Sequence, residues 1–148
     1  MTIIRGCNFP DEFFYYPEKH LWLKSLGGNL FRVGLTPVAG KLAGGRLNAV
    51  TIRAKNIGVE VQQGKSLATL ESSKYVGPVP APITGVVKTA NEKLATDPNL
   101  VISDPYGEGW VVEIEATRWT EEKDNLLTGP DGLATYQQKL EDAGISCD

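Results

Sequence analysis

Histidine and methionine each occur once in this chain and cysteine only twice, and these scarcities exclude a good deal. A lone His20, with Cys7 and Cys147 near opposite ends and no C-x-x-C pair, leaves no ligand set for zinc. The same scarcity leaves little for acid–base or nucleophilic catalysis, so a protein that is not itself an enzyme is expected. No run approaches the roughly 18 consecutive apolar residues of a membrane span, and no membrane partner is expected. Residues 1–6 lack a sustained apolar segment and lead quickly into Asp11 and Glu12, so no secretory signal is read and the cytoplasm is the default location. A net charge of -3 and a pI near 5.2 are not the basic, clustered footprint of a nucleic-acid binder. In a reducing compartment the two cysteines read as incidental thiols. A pair between the two ends, or an accessible redox thiol, is the alternative.

What is there is a globular composition, 41% hydrophobic and 22% charged, at the length of one ordinary domain. Pro10 and Pro17 bracket Phe13-Phe14-Tyr15-Tyr16, so residues 1–20 read as a loop packed down by aromatic rings. Near-alternating runs at 21–26 and 30–35, joined by Gly27-Gly28-Asn29, predict a hairpin. Thr36-Pro37 opens a short helix that ends near Leu42, before Gly44-Gly45. From 46 to 87 short strands recur between turn residues: 47–52, the Val59-Glu60-Val61 stretch, 66–70, the Val76 to Val79 stretch and 83–87. Pro78, Pro80 and Pro82 lack ladder donors and bar their segment from the centre of a sheet. Asn91 is a candidate cap for a short helix over 91–95, and 110–114 is a further strand. A polar helical turn at 121–127 precedes a helix over 131–143, where Leu133, Tyr136 and Leu140 share a face and Gly144 is the stop. Trp119 and Tyr136 read as anchors for this tail. The organisation is one domain over 1–148, with an N-terminal extension (1–15), a β core (16–114) and a helical tail (115–148).

The informative segment is Gly64 to Val76, followed by Ala81-Pro82-Ile83-Thr84-Gly85. One strand delivers the chain to Lys74 and a second takes it away, which places that amine at a hairpin tip in reach of a modifying enzyme. By itself a lysine in a turn is a solvated surface charge. The order Gly64, Glu71-Ser72-Ser73-Lys74, Ala81-Pro82-Ile83-Thr84-Gly85 resembles the lipoyl/biotinyl attachment family. Tyr16 to Trp22, Val33-Gly34-Leu35-Thr36, Asn91-Glu92, Asp97-Pro98 and Asp104 to Trp110 are further similar, in matching order, to the H protein of the glycine cleavage system and its relatives. The likeness spans roughly residues 16–114. Biotin acceptors resemble a lysine flanked by methionines, whereas Lys74 lies between Ser73 and Tyr75.

The resemblance implies a mostly β fold, a hybrid barrel-sandwich of two antiparallel sheets with short helices and a C-terminal helix. It implies lipoic acid bound covalently to Lys74, with Glu71, Ser72 and Gly85 read by the attachment enzyme and with His20, Leu21 and Tyr75 bordering the cleft for the arm. His20 is read first as a satisfied structural residue and second as a cleft group. The Asp104 to Trp110 run is read as a turn that fixes strand packing. The implied partners are a lipoate ligase or lipoyl transferase and dihydrolipoamide dehydrogenase, with a monomer expected. The sequence departs from the glycine-cleavage pattern at Leu21, where an acidic residue is common, at Pro37, and over Tyr75 to Pro80. In these features it is similar to H-like lipoate-binding proteins of bacterial sulfur oxidation. The leading expectation is therefore a shuttle in sulfane-sulfur or thiosulfate oxidation, working with sulfur transferases and a heterodisulfide-reductase-like complex. An H protein passing an aminomethyl group among glycine cleavage enzymes is the alternative, and an unmodified interaction protein on the same scaffold is another.

Overall fold

Alternation of side chains along the hairpin that follows residue 20 decides which face of the large sheet becomes core. The computed structural model describes residues 1–148. In it β4 (Leu21–Ser25) and β5 (Leu30–Leu35) pair antiparallel, with Leu21 opposite Leu35 and Leu23 opposite Val33. Gly27 and Gly28 make the turn at φ 110° and 55°, angles that a side chain would strain. Leu21, Leu23, Phe31, Val33 and Leu35 face one way into the main core, whereas Trp22 faces the other.

Around this hairpin the chain builds a seven-stranded sheet in the order β12-β3-β4-β5-β11-β10-β7. Its other members are β3 (Phe14–Tyr16), β7 (Glu60–Val61), β10 (Gly85–Ala90), β11 (Val112–Ala116) and β12 (Leu127–Thr128). A second sheet of three strands has β8 (Ser66–Glu71) between β6 (Ala49–Ile52) and β9 (Val76–Pro80). Every pair within these sheets is antiparallel. Val50, Leu67, Ala68, Leu70 and Val79 of the smaller sheet share one core with Val33, Val87, Val112 and Ile114 of the larger. That is the barrel-sandwich expected. Pro78 and Pro80 stand on the edge strand β9, where a missing ladder donor costs no pairing.

The first twenty residues are more ordered than a loop. β1 (Thr2–Ile4) and β2 (Cys7–Phe9) form their own hairpin, and β3 joins the large sheet because its backbone pairs with β4 on one side and β12 on the other. The polar turn expected at 121–127 divides into α3 (Trp119–Glu122), a 3-10 turn (Lys123–Asn125) and β12, as Leu126 sinks into the core. The tail helix α4 (Gly129–Ala143) ends at Gly144 in the left-handed region, as its sequence predicts. A second core lies between these outer segments: Ile4, Cys7, Phe9, Phe13 and Tyr15 pack with Trp22, Val38, Leu133, Tyr136 and Leu140. Extension and tail thus cover one face of the large sheet together. Trp119 packs elsewhere, against Phe14 and Phe31.

The cysteines are not the incidental thiols expected. Cys7 and Cys147 form a disulfide with Cα atoms 5.2 Å apart. The Cys147 amide donates to the Arg5 carbonyl at 2.9 Å, and Arg5 Nε donates to the Ile145 carbonyl at 2.6 Å, so backbone pairing brings the two thiols together.

Candidate functional site

The β8–β9 hairpin, with Glu71 opposite Val76, carries Lys74 at its tip. Ser72 shapes the tip from inside: its amide donates to the Tyr75 carbonyl at 2.8 Å, and its hydroxyl accepts from the Lys74 amide at 3.3 Å. Ser72 is buried, while Glu71, Ser73, Lys74 and Tyr75 are exposed. The tip leans on α1 (Pro37–Leu42) and the turn after it. A Cβ placed on Gly44, itself at φ +93°, would lie 3.1 Å from Lys74 Cδ. The lysine methylenes therefore lie along a strip of bare backbone that only glycine provides.

Beside Lys74 is a cleft of about 190 Å³ bounded by the hairpin, α1 and the turn that holds His20. Buried Leu35, Ala43 and Leu70 make its floor, Tyr75 and the exposed Leu42 flank it, and Glu18, Lys19 and His20 supply its polar side. His20 adopts φ 59°, uncommon for a residue with a side chain, and is held there from several directions. Its carbonyl accepts from the Thr36 amide at 2.9 Å, its ring stacks on Tyr136 at 11° between planes, and Nδ1 is 2.7 Å from the Tyr136 hydroxyl. Burial pushes the imidazole down to about 4, with Lys19 adding repulsion. A neutral ring accepting at Nδ1 completes a relay in which Thr36 Oγ1, 3.3 Å away, donates to Tyr136 and Tyr136 donates to His20.

Of the residues singled out in the sequence, Tyr75 and His20 line this cleft, and Lys74 is the chain neighbour of Tyr75. Leu21 is fully buried in the main core, one strand residue past His20 and paired with Leu35, and does not line the cleft. Gly85 lies in β10 of the other sheet, where a Cβ would strike the Glu115 backbone carbonyl. Close strand packing accounts for it. Two residues near the tip carried no signal of their own in the sequence. Glu18 is the one carboxylate that lines the cleft, and Gly44, against Lys74, reads from sequence only as a helix stop.

The glycine cleavage H-protein family matches residues 14–141, which takes in both sheets' strands from β3 onward, the hairpin tip and most of α4. The chain belongs to that family. It is 38% identical to glycine cleavage system H protein 5 of Aquifex aeolicus, over 99% of each chain. It is 34% identical to probable glycine cleavage system H protein 2 of Sulfolobus acidocaldarius, over 99% of this chain and 97% of that one. Among solved structures it is similar to a glycine cleavage system H protein from Mycobacterium marinum, with a TM-score of 0.71 at 29% identity, covering 86% of this chain and 98% of that one. H proteins carry lipoate covalently on a lysine and are carriers rather than catalysts. The hairpin tip fits that group, since Lys74 is exposed, runs over Gly44 and is followed by Tyr75, which lines an apolar-floored cleft. No helix is long and apolar enough to cross a membrane.

Proposed function

We propose that this protein carries lipoate on the Nζ of Lys74 and presents it to successive partner enzymes, with the cleft beside the hairpin shielding the loaded arm. The observation that carries this reading is Lys74 at an exposed tip, laid against Gly44 and next to the cleft-lining Tyr75, in an H-protein chain. When bound, the lipoyl group supplies the sulfurs that take up and release cargo. The chain's own residues do the rest: Ser72 holds the tip, Gly44 gives the lysine passage, and Leu35, Ala43 and Leu70 exclude water from the floor. Glu71 is exposed beside the lysine and available to a lipoate ligase or lipoyl transferase. Dihydrolipoamide dehydrogenase is the partner that would reoxidise the arm, and the cytoplasm is the proposed setting.

Glu18 supports the aminomethyl cargo of glycine cleavage. An apolar cleft without a carboxylate would penalise a protonated amine and so favour an uncharged sulfur adduct. Leu21 is core rather than lining, however, and Glu18 stands at the cleft in its stead. A second reading, sulfane-sulfur or thiosulfate oxidation with sulfur transferases and a heterodisulfide-reductase-like complex, is favoured by the apolar remainder of the lining and the neutral His20.

Co-expression with a lipoate ligase tests the attachment. One lipoyl mass should appear, and Lys74→Arg should abolish it; a label on Lys65 or Lys88 would overturn the assignment. For the cargo, the lipoylated protein is assayed for glycine-dependent exchange of carbon dioxide with glycine decarboxylase, beside an authentic H protein. Exchange near the control rate, reduced at least about tenfold in Glu18→Gln, is expected. Negligible exchange together with a persulfide-derived mass on the arm would select the sulfur reading.

A further inference from the structure

Two of the three sides of the cleft, the His20 turn and α1, are backed by the tail, and the tail is fastened by one covalent bond. On one side, His20 stacks on Tyr136 of α4 and bonds its hydroxyl. On the other, α1 lends Ala39 and Leu42 to the cleft while its N-cap Thr36 contacts Tyr136, its Val38 belongs to the same core cluster as Tyr136 and Leu140, and its Lys41 Nζ lies 3.5 Å from the Asp148 carbonyl oxygen. Thr36 does not cap α1 with its side chain, so the helix start is tied to the tail instead of to its own amides. Past Gly144 the tail is held to the β1–β2 hairpin by Arg5 and by the Cys7–Cys147 bond.

We propose that the Cys7–Cys147 disulfide is a redox-controlled latch on the cleft, with Tyr136 as the positioning residue through which it holds His20 and α1 in place. Cys147 is half-exposed and Cys7 is buried, so the Cys147 side of the bond is the one open to attack by a thiolate. A dithiol reductant attacks there, the S–S bond breaks, and Cys7 leaves as a thiolate and takes up a proton. The second thiol of the reductant then displaces Cys147 and closes to a disulfide, so two cysteine thiols appear for each reductant oxidised. The large core contains none of the latch residues: Cys7, Tyr136 and Leu140 belong to the second core. Reduction should therefore loosen α4 and the polar side of the cleft while both sheets stay closed. The consequence for docking of a loaded arm rests on the role proposed for Lys74, but the latch itself is testable without lipoylation.

Because His20 is the sole histidine, its imidazole gives one set of ring resonances. The full-length unlipoylated chain is compared before and after dithiothreitol, with two free thiols counted in the reduced sample. The expected result is a shifted His20 ring signal and amide exchange in α4 at least about tenfold faster, with β5, β8, β10 and β11 within about twofold of the oxidised protein. Cys147→Ser should reproduce the reduced state without reductant, and so decides the matter if the bond resists dithiothreitol. Tyr136→Phe, which keeps the ring and loses the hydroxyl, should move the His20 signal with the disulfide intact. An unmoved His20 signal in both the reduced protein and Cys147→Ser would overturn the latch. So would exchange that quickens alike in α4 and in the sheets, since the bond would then staple the whole fold.

Discussion

The indole of Trp22 lies directly on Gly34, its cross-strand partner in the β4–β5 hairpin. From there its N–H reaches the Leu35 carbonyl at 3.1 Å and the Pro105 carbonyl at 3.0 Å. Two stretches that look like separate signatures in the sequence, the one ending in Trp22 and Val33-Gly34-Leu35-Thr36, are therefore two sides of one contact. The Asp104 to Trp110 turn docks onto it. Gly34→Ala would drive a methyl into the ring and should cost about 3 kcal/mol, the upper end for overpacking. Urea unfolding followed by Trp fluorescence measures this; an unchanged midpoint would mean the indole is free to move aside.

At Gly44 the constraint is functional as well as structural. Alanine there must adopt φ +93° and would place its Cβ 3.1 Å from Lys74 Cδ. The backbone penalty is about 1–2 kcal/mol. Displacement of the lysine should in addition slow its acylation, while Gly45→Ala, with open space at its Cβ, should carry the backbone cost alone. Comparing ligase rates for the two variants, each checked for folding by thermal melt, separates strain from obstruction. Equal rates would remove Gly44 from the site.

Local chemistry was legible in this sequence wherever one element decides its own shape. The hairpin turn at Gly27-Gly28, the helix opened by Thr36-Pro37, the edge position of Pro78 and Pro80, and the stop at Gly144 follow from dihedral preference or a missing donor, and the Asn91 cap follows from a side-chain acceptor beside a helix-start amide. The family resemblance over 16–114 likewise implied the barrel-sandwich. What stayed hidden depends on pairing across the chain. Residues 14–16 become a strand only because β4 and β12 supply partners, the Cys7–Cys147 pair, only an alternative in the sequence, forms because Arg5 bonds the Ile145 and Cys147 backbone, and α2 (Leu100–Ser103) is too short to show a period. At the site, strand parity misled the reading of Leu21. One residue after His20 the side chain faces the core, and Glu18 takes the polar place that Leu21 was thought to have vacated.

Asn91 joins two of the sequence signatures in the same manner. It is buried, its amide donates to the Glu108 and Trp110 carbonyls at 2.7 and 2.8 Å, and its oxygen accepts from the Lys93 amide at 3.2 Å. Asn91→Ala leaves two carbonyls and one helix-start amide without partners and should cost about 3 kcal/mol. Asn91→Asp keeps the cap but turns a carboxylate toward two carbonyl oxygens, so it should be at least as damaging as alanine. Denaturant melts of both variants check the order. A milder aspartate would show that capping, rather than the bridge to the turn, is what Asn91 contributes.

His20 makes stability depend on pH in a direction set by its burial. The groups that face it are Glu18 and Lys19 on its own turn, Thr36 ahead of α1, Tyr136 on α4 and Tyr75 across the cleft. Burial first, and Lys19 second, hold the folded imidazole at about 4, below the ordinary 6.5 that it regains on unfolding. Above about pH 6.5 the ring is neutral in both states and its contribution to stability is complete. As pH falls from about 6.5 toward about 4 the unfolded chain binds a proton that the folded chain refuses, and stability drops. Below about 4 both states are protonated and the loss levels off, at no more than about 3 kcal/mol. Asp11, held below its usual range by bonds from the Met1 amine and Thr2, gives a separate loss that begins only lower on the scale. His20→Asn isolates the histidine, because asparagine tolerates the left-handed backbone better than other replacements. The wild-type unfolding free energy should fall relative to that variant between about pH 6.5 and about pH 4, and the single imidazole resonance should titrate near 4 in the folded protein. Parallel stability curves would mean that the ring is solvated and that Tyr136 does not hold it in the wall of the cleft.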